Sequence, residues 1–91
     1  MIGERIRILR TTRGVNQVQL AQALHVSKQA VSNWENNNIL PSVEMLVVIA
    51  DYFGVSTDNL LGRDTRPQLD VRGLTEQQIA HLRLLIDDLR G

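Results

Sequence analysis

The 91-residue sequence predicts an all-α fold, with five short helices in one small domain followed by a linker and a C-terminal amphipathic helix. Three observations lead there. Leu20, Ala21 and Leu24 fall at i, i+1 and i+4, and Ala30, Val31 and Trp34 repeat that spacing after a short break, so two successive stretches each carry one inward stripe. Residues able to cap a helix, Asn16, Ser27, Ser42 and Thr75, stand directly before four of the helical stretches. Gly14, Gly54, Gly62 and Gly73 punctuate the pattern where helices should end or turn.

Residues 3–13 read as the first helix, with Ile6 and Leu9 inward and the arginines elsewhere. Asn16 opens the second, and Gln19 three residues later completes a capping box. His25-Val26-Ser27 makes the turn, Val26 plugging between the helices and Ser27 capping the third. Asn37 suits the left-handed conformation that ends a helix. The fourth helix runs from Ser42 to about Phe53, with Val43, Leu46, Val47, Ile49, Ala50 and Phe53 inward, and a short fifth ends at Leu60, Leu61 and Gly62. Ile8 and Val48 fit neither inner stripe and are candidates for contact surface.

Residues 64–73 are charged and broken by Pro67 and Gly73, as a linker is, which separates a domain at 1–63 from a helix at 74–91. In that helix Thr75 and Gln78 form a second capping box with Leu74 at the staple position. Ile79, Leu82, Ile86 and Leu89 recur at steps of three and four, and Leu85 broadens the seam. A seam this short does not sustain a coiled coil alone, so its stripe must pack on something.

Composition limits the function classes. Without cysteine there is no disulfide framework, thiolate metal site or cysteine nucleophile. His25 and His81 are far apart and lack carboxylate partners at ligand spacing, so neither a metal nor a cofactor is expected. No apolar run approaches the roughly 18 residues that span a bilayer, and the expectation is a soluble cytoplasmic protein. Nothing resembles a nucleophile with its base, a phosphate-cradling glycine loop or paired carboxylates, which argues against an enzyme. Formal net charge is zero, but residues 1–28 carry +4, residues 29–63 carry −3 and the remainder −1. The basic excess thus falls where two helices and a turn would meet phosphates.

Residues 4–63 resemble the helix-turn-helix of the Cro and phage-repressor superfamily, the xenobiotic-response-element type. The likeness rests on Asn16-Gln17 opening the second helix, LAQALHVS across the turn, Val31, Trp34 and Glu35 at the core edge, and the later IADYFGVSTDNLLGR. It implies a five-helix, lambda-repressor-like DNA-binding domain, bacterial or phage-encoded, that binds double-stranded DNA as a homodimer on two half-sites. The third helix would enter the major groove, with Lys28 donating to guanine and Gln29 or Asn33 pairing with adenine, and Ser32 touching a base or phosphate. Asn16, Gln17, Arg13, Ser27 and Asn36 are the expected phosphate contacts. Arg10 either touches DNA or, as the resemblance implies, pairs with Glu35. Lysine at 28 departs from the amide common in relatives, and the uncharged Asn36-Asn37-Asn38 loop departs from their basic one, which predicts a shallow salt dependence.

The seam of Ile79, Leu82, Leu85, Ile86 and Leu89 has three possible destinations: its own domain, a second copy, or another protein. The favoured reading is a transcriptional repressor paired through that helix. Its rival is a protein-interaction adaptor, antitoxin-like or antirepressor-binding, in which DNA contact is secondary.

Overall fold

A computed structural model describes residues 2–66 and 69–91. Its helices are α1 (Ile2–Arg13), α2 (Gln17–Leu24), α3 (Lys28–Glu35), α4 (Val43–Phe53), α5 (Thr57–Leu60) and α6 (Glu76–Leu89), and no strand occurs among the described residues. The expected linker break at Pro67 lies outside them.

Local chemistry sets the helix starts. Asn16, Ser27, Ser42, Ser56 and Thr75 all have extended backbones, and each side-chain oxygen accepts a backbone N–H of the first turn. Both capping boxes form: Gln19 and Gln78 accept from the backbone N–H groups of Asn16 and Thr75 at 2.8 and 2.9 Å. Left-handed residues follow α1 to α5: Gly14 at φ 80°, His25 at φ 58°, Asn37 at φ 59°, Gly54 at φ 68° and Gly62 at φ 78°.

α1 to α5 enclose one core. Ile6, Leu20, Val31, Ile49 and Leu60 have no exposed surface, and Leu24, Trp34 and Phe53 close around them. Trp34 is therefore a packing residue rather than a stacking platform. Burial of each such side chain contributes roughly 1.5–3 kcal/mol against the ordering cost of the chain. The expected inner face of α4 needs correction. Ile49, Ala50 and Phe53 are buried, but Val43 is 77% and Val47 47% exposed. Nine of the eleven residues of α4 are apolar or aromatic, so apolarity runs nearly all round the helix and cannot locate the buried arc. Ile8 and Val48, which fit no inner stripe, are exposed.

α6 stands apart from that core. None of its residues is buried, and the molecule measures 45 Å along one axis against 23 Å along the other two. The segment ahead of it is nonetheless attached: Leu69, Asp70, Val71 and Arg72 lie over Ala50, Asp51, Gly54 and Val55 at the end of α4. A Cβ at Gly54 would come within 2.8 Å of the Asp70 Cβ, so glycine there serves both the left-handed cap and this close approach.

Candidate nucleic-acid interface

α2, the His25 turn and α3 form a helix-turn-helix whose outer surface is polar. The turn is held by His25 and Val26 N–H groups donating to Gln22 and Ala21 carbonyls at 3.3 and 2.9 Å. Val26 packs against the core, while Ser27 Oγ accepts the Ala30 N–H at 3.0 Å. The first turn of α3 is thereby presented outward with Lys28 and Gln29 exposed.

Amides on this face hold one another. Gln29 Nε2 donates to Asn33 Oδ1 at 3.1 Å, and Asn36 Nδ2 donates to Ser32 Oγ at 3.3 Å. Each pair is one helical turn apart, so the side chains are partly ordered before any ligand arrives. At the start of α2, Asn16 satisfies the Gln19 N–H through its side chain and the Leu20 N–H through its carbonyl. The Gln17 and Val18 backbone N–H groups have no partner among the described residues, and such groups at a helix start attract anions.

Behind the face lies a charged cluster. Arg10 donates through Nε to Glu35 Oε2 at 2.6 Å and through Nη2 to Oε1 at 2.9 Å, a bidentate pair whose side chains are only 12% and 2% exposed. Arg10 Nη1 also reaches the Val15 carbonyl at 3.0 Å. The hydrogen bond to Glu35 raises the guanidinium pKa above its ordinary value; burial works against this and the Glu35 charge adds to it. Gln17 Nε2 donates to Glu35 Oε1 at 3.2 Å, so the side chain expected on a phosphate is turned to the carboxylate.

Two other arginines of α1 also have partners inside the domain. Arg13 lies 4.8 Å from the Tyr52 ring centroid and 5.7 Å from that of Phe53, and it donates to the Tyr52 carbonyl. It is thus turned to the end of α4, where the aromatic faces and a free carbonyl attract a cation, and not to the start of α2. Arg5 Nη2 donates to Asn59 Oδ1 at 2.6 Å. With Arg10 on Glu35, three of the four α1 arginines are occupied within the domain. Lys28 is the lone Lys or Arg between residues 14 and 40.

Sequence reasoning missed two residues that position this surface. Gly3 is buried where α1 crosses the end of α3; its N–H donates to Asn37 Oδ1 at 3.1 Å, and a Cβ there would meet the Glu35 carbonyl at 2.7 Å. Asn59, 4% exposed, joins Arg5 to the Asp64 carbonyl at 3.0 Å. Neither carries a sequence signal, because both roles depend on chain segments more than thirty residues away.

Comparison with known proteins agrees with this geometry. A family model described as Helix-turn-helix matches residues 6–60. The chain is 41% identical over 58 residues to the HTH-type transcriptional activator BcrR of Enterococcus faecalis, covering 64% of this chain and 28% of that protein. It is 40% identical over 70 residues to Repressor protein CI of Enterobacteria phage phi80, covering 77% and 29%. It therefore spans less than a third of the length of either regulator. Among solved structures, the P22 c2 repressor in complex with a synthetic operator superposes with a TM-score of 0.66 at 34% identity, over 70% of this chain and 97% of that one. A transcriptional regulator from Listeria innocua shares the fold at a TM-score of 0.66 and 24% identity, over 98% and 92%. By its matched residues and its all-helical fold, the chain belongs to the helix-turn-helix family of the Cro and phage-repressor type.

Proposed function

We propose that this chain is a sequence-specific DNA-binding regulator, most simply a repressor, that binds a two-fold operator as a pair of copies. The observation that carries the reading is the match of residues 6–60 to the helix-turn-helix family and of the fold to an operator-bound repressor, combined with an exposed first turn of α3 bearing Lys28 and Gln29. In the major groove Lys28 suits guanine O6 and N7, and Gln29 or Asn33 suits adenine N6 and N7. Ser32 and Asn36 lie farther along the same face. The free N–H groups of Gln17 and Val18, with Ser27 and the capped Asn16, suit phosphates on either side of the groove. Arg13, expected on a phosphate, would leave the Tyr52 ring and carbonyl to reach one.

Two copies are needed on energetic grounds. One face with a single cation gives little electrostatic affinity, whereas two linked faces engage two half-sites about 34–36 Å apart. α6 is the element that joins them. None of its stripe of Ile79, Leu82, Leu85, Ile86 and Leu89 is buried in the single chain: Leu85 and Leu89 are exposed, and Ile79, Leu82 and Ile86 are half-buried. No observation favours the adaptor reading over this one.

Selection of bound DNA from a randomised pool, at moderate salt, tests the proposal. Enrichment of a palindromic sequence is expected. A pool that stays random after repeated rounds overturns it.

A further inference from the structure

The C-terminal end of α4 gathers charged side chains of both signs: Arg13 from α1, Asp51 from α4 itself, and Asp70 and Arg72 from the segment that leads to α6. The Arg13 guanidinium stands over the Tyr52 and Phe53 rings and donates to the Tyr52 carbonyl in the last turn, where the helix dipole is negative. Asp70 lies against Gly54, two residues beyond Tyr52, where a Cβ would come within 2.8 Å of its own. Arg72 takes both Asp70 carboxylate oxygens, at 3.0 and 2.9 Å, and the Arg13 charge adds a weaker pull on the same carboxyl.

Arg13 also stands three residues before Asn16, at the helix start whose Gln17 and Val18 N–H groups suit a phosphate. It is exposed, so its side chain can turn from one anion to the other without crossing the core. Arg10 is tied to buried Glu35 and Arg5 to buried Asn59, so of the three engaged arginines of α1 only Arg13 has a partner it can exchange cheaply. A guanidinium held in solvent by one carbonyl, two ring faces and a shared carboxylate is held weakly.

We propose that the linker, seated at the end of α4, holds Arg13 back from DNA. The Asp70 carboxylate and the Tyr52 carbonyl take the place of a phosphate; when the linker leaves that seat, Arg13 loses part of its hold and turns to the phosphate at the start of α2. Linker attachment thus lowers DNA affinity. The proposal rests on the DNA-binding reading above and adds a regulator of it within the chain. A fixed tie between α1 and α4 would behave otherwise: cutting it costs stability only, whereas a cation held back strengthens DNA binding once Asp70 is neutralised.

Anisotropy titrations of the full chain on a random-sequence DNA duplex test this. Asp70→Asn should tighten binding severalfold, and Asp88→Asn, the same charge change on the exposed surface of α6, should not. In an Arg13→Gln background Asp70→Asn should have no effect. Arg13→Gln should also lower the salt slope of the Asp70→Asn chain by about 0.9 per copy, the share of one phosphate. Circular dichroism checks that each variant is folded. Should Arg13→Gln disturb the fold, the Asp70→Asn chain serves alone: its Arg13 side-chain resonances should lose the ring-current shift from Tyr52 as DNA is added. Binding that Asp70→Asn leaves unchanged overturns the inference and leaves the DNA-binding reading intact. Equal tightening with and without Arg13 overturns it too, since the Asp70 charge then acts on DNA directly, as do Arg13 resonances that stay in place in the complex. A wild-type chain that binds no DNA even at low salt removes both.

Discussion

Glu35 is the residue on which the helix-turn-helix depends most. It is 4% exposed and accepts from Arg10 twice and from Gln17 once, so α1, α2 and α3 meet at one carboxylate. Arg10→Ala or Glu35→Ala should cost about 3–5 kcal/mol in urea unfolding, because each strands a buried charge. Replacing both with apolar residues of similar volume should cost much less, and a double-mutant cycle will show the difference. The exposed face behaves differently. Lys28→Ala and Gln29→Ala should leave stability nearly unchanged and relax operator preference by about 1–3 kcal/mol for each good base contact. Anisotropy titrations against selected and random DNA will separate the cases; equal losses on both would place these side chains on phosphates.

Between elements, close approaches decide more than residue type does. α1 can cross the end of α3 only because Gly3 has no side chain at a point where a Cβ would sit 2.7 Å from the Glu35 carbonyl. Gly3→Ala should therefore destabilise the fold by about 1–3 kcal/mol despite the better helix propensity of alanine, as a drop in the urea midpoint will show. Where it crosses the end of α4, the linker carries its own ion pair. The Arg72 side-chain hydrogen bond, then the Arg72 backbone N–H, hold the Asp70 carboxyl down to about 2 from an ordinary 3.8, with the Arg13 charge assisting. A carboxyl depressed in the folded state contributes fully above its ordinary value, and the contribution is lost as pH falls through the depressed one. Amide shifts of Gly54 and Val71 should hold steady from pH 7 to about 4 and move between about 4 and 2.

For the whole molecule, charge placement sets how it meets DNA. A count of +4 in residues 1–28 suggests a strongly basic surface, yet Arg5, Arg10 and Arg13 are each bonded within the domain. The loop after α3 is uncharged as well. Since each neutralised phosphate contributes about 0.9 to the slope of log affinity against log salt, the chain should show a shallow dependence per copy, about one to two units. Titrations between about 50 and 200 mM salt measure it. A slope near the −10 of a large dimeric repressor would mean that the arginines leave their partners on binding.

Features that depend on neighbours within a turn or two of helix were legible in the residues alone. The starts of α2, α3, α4 and α6, both capping boxes, the turn at His25 and the left-handed Asn37 follow from short-range hydrogen bonding and backbone sterics. The polar character of the α3 face was legible for the same reason. Tertiary structure alone decided which arc of α4 is buried, because that helix is apolar nearly all round and only its neighbours choose a side. It also decided that Gln17 bonds Glu35 and that Arg13 bonds α4, that Gly3 must be small, and that Asn59 links Arg5 to the chain beyond α5. Each of these depends on a group distant along the chain, and a hydrogen bond or close contact of that kind leaves no periodicity to read.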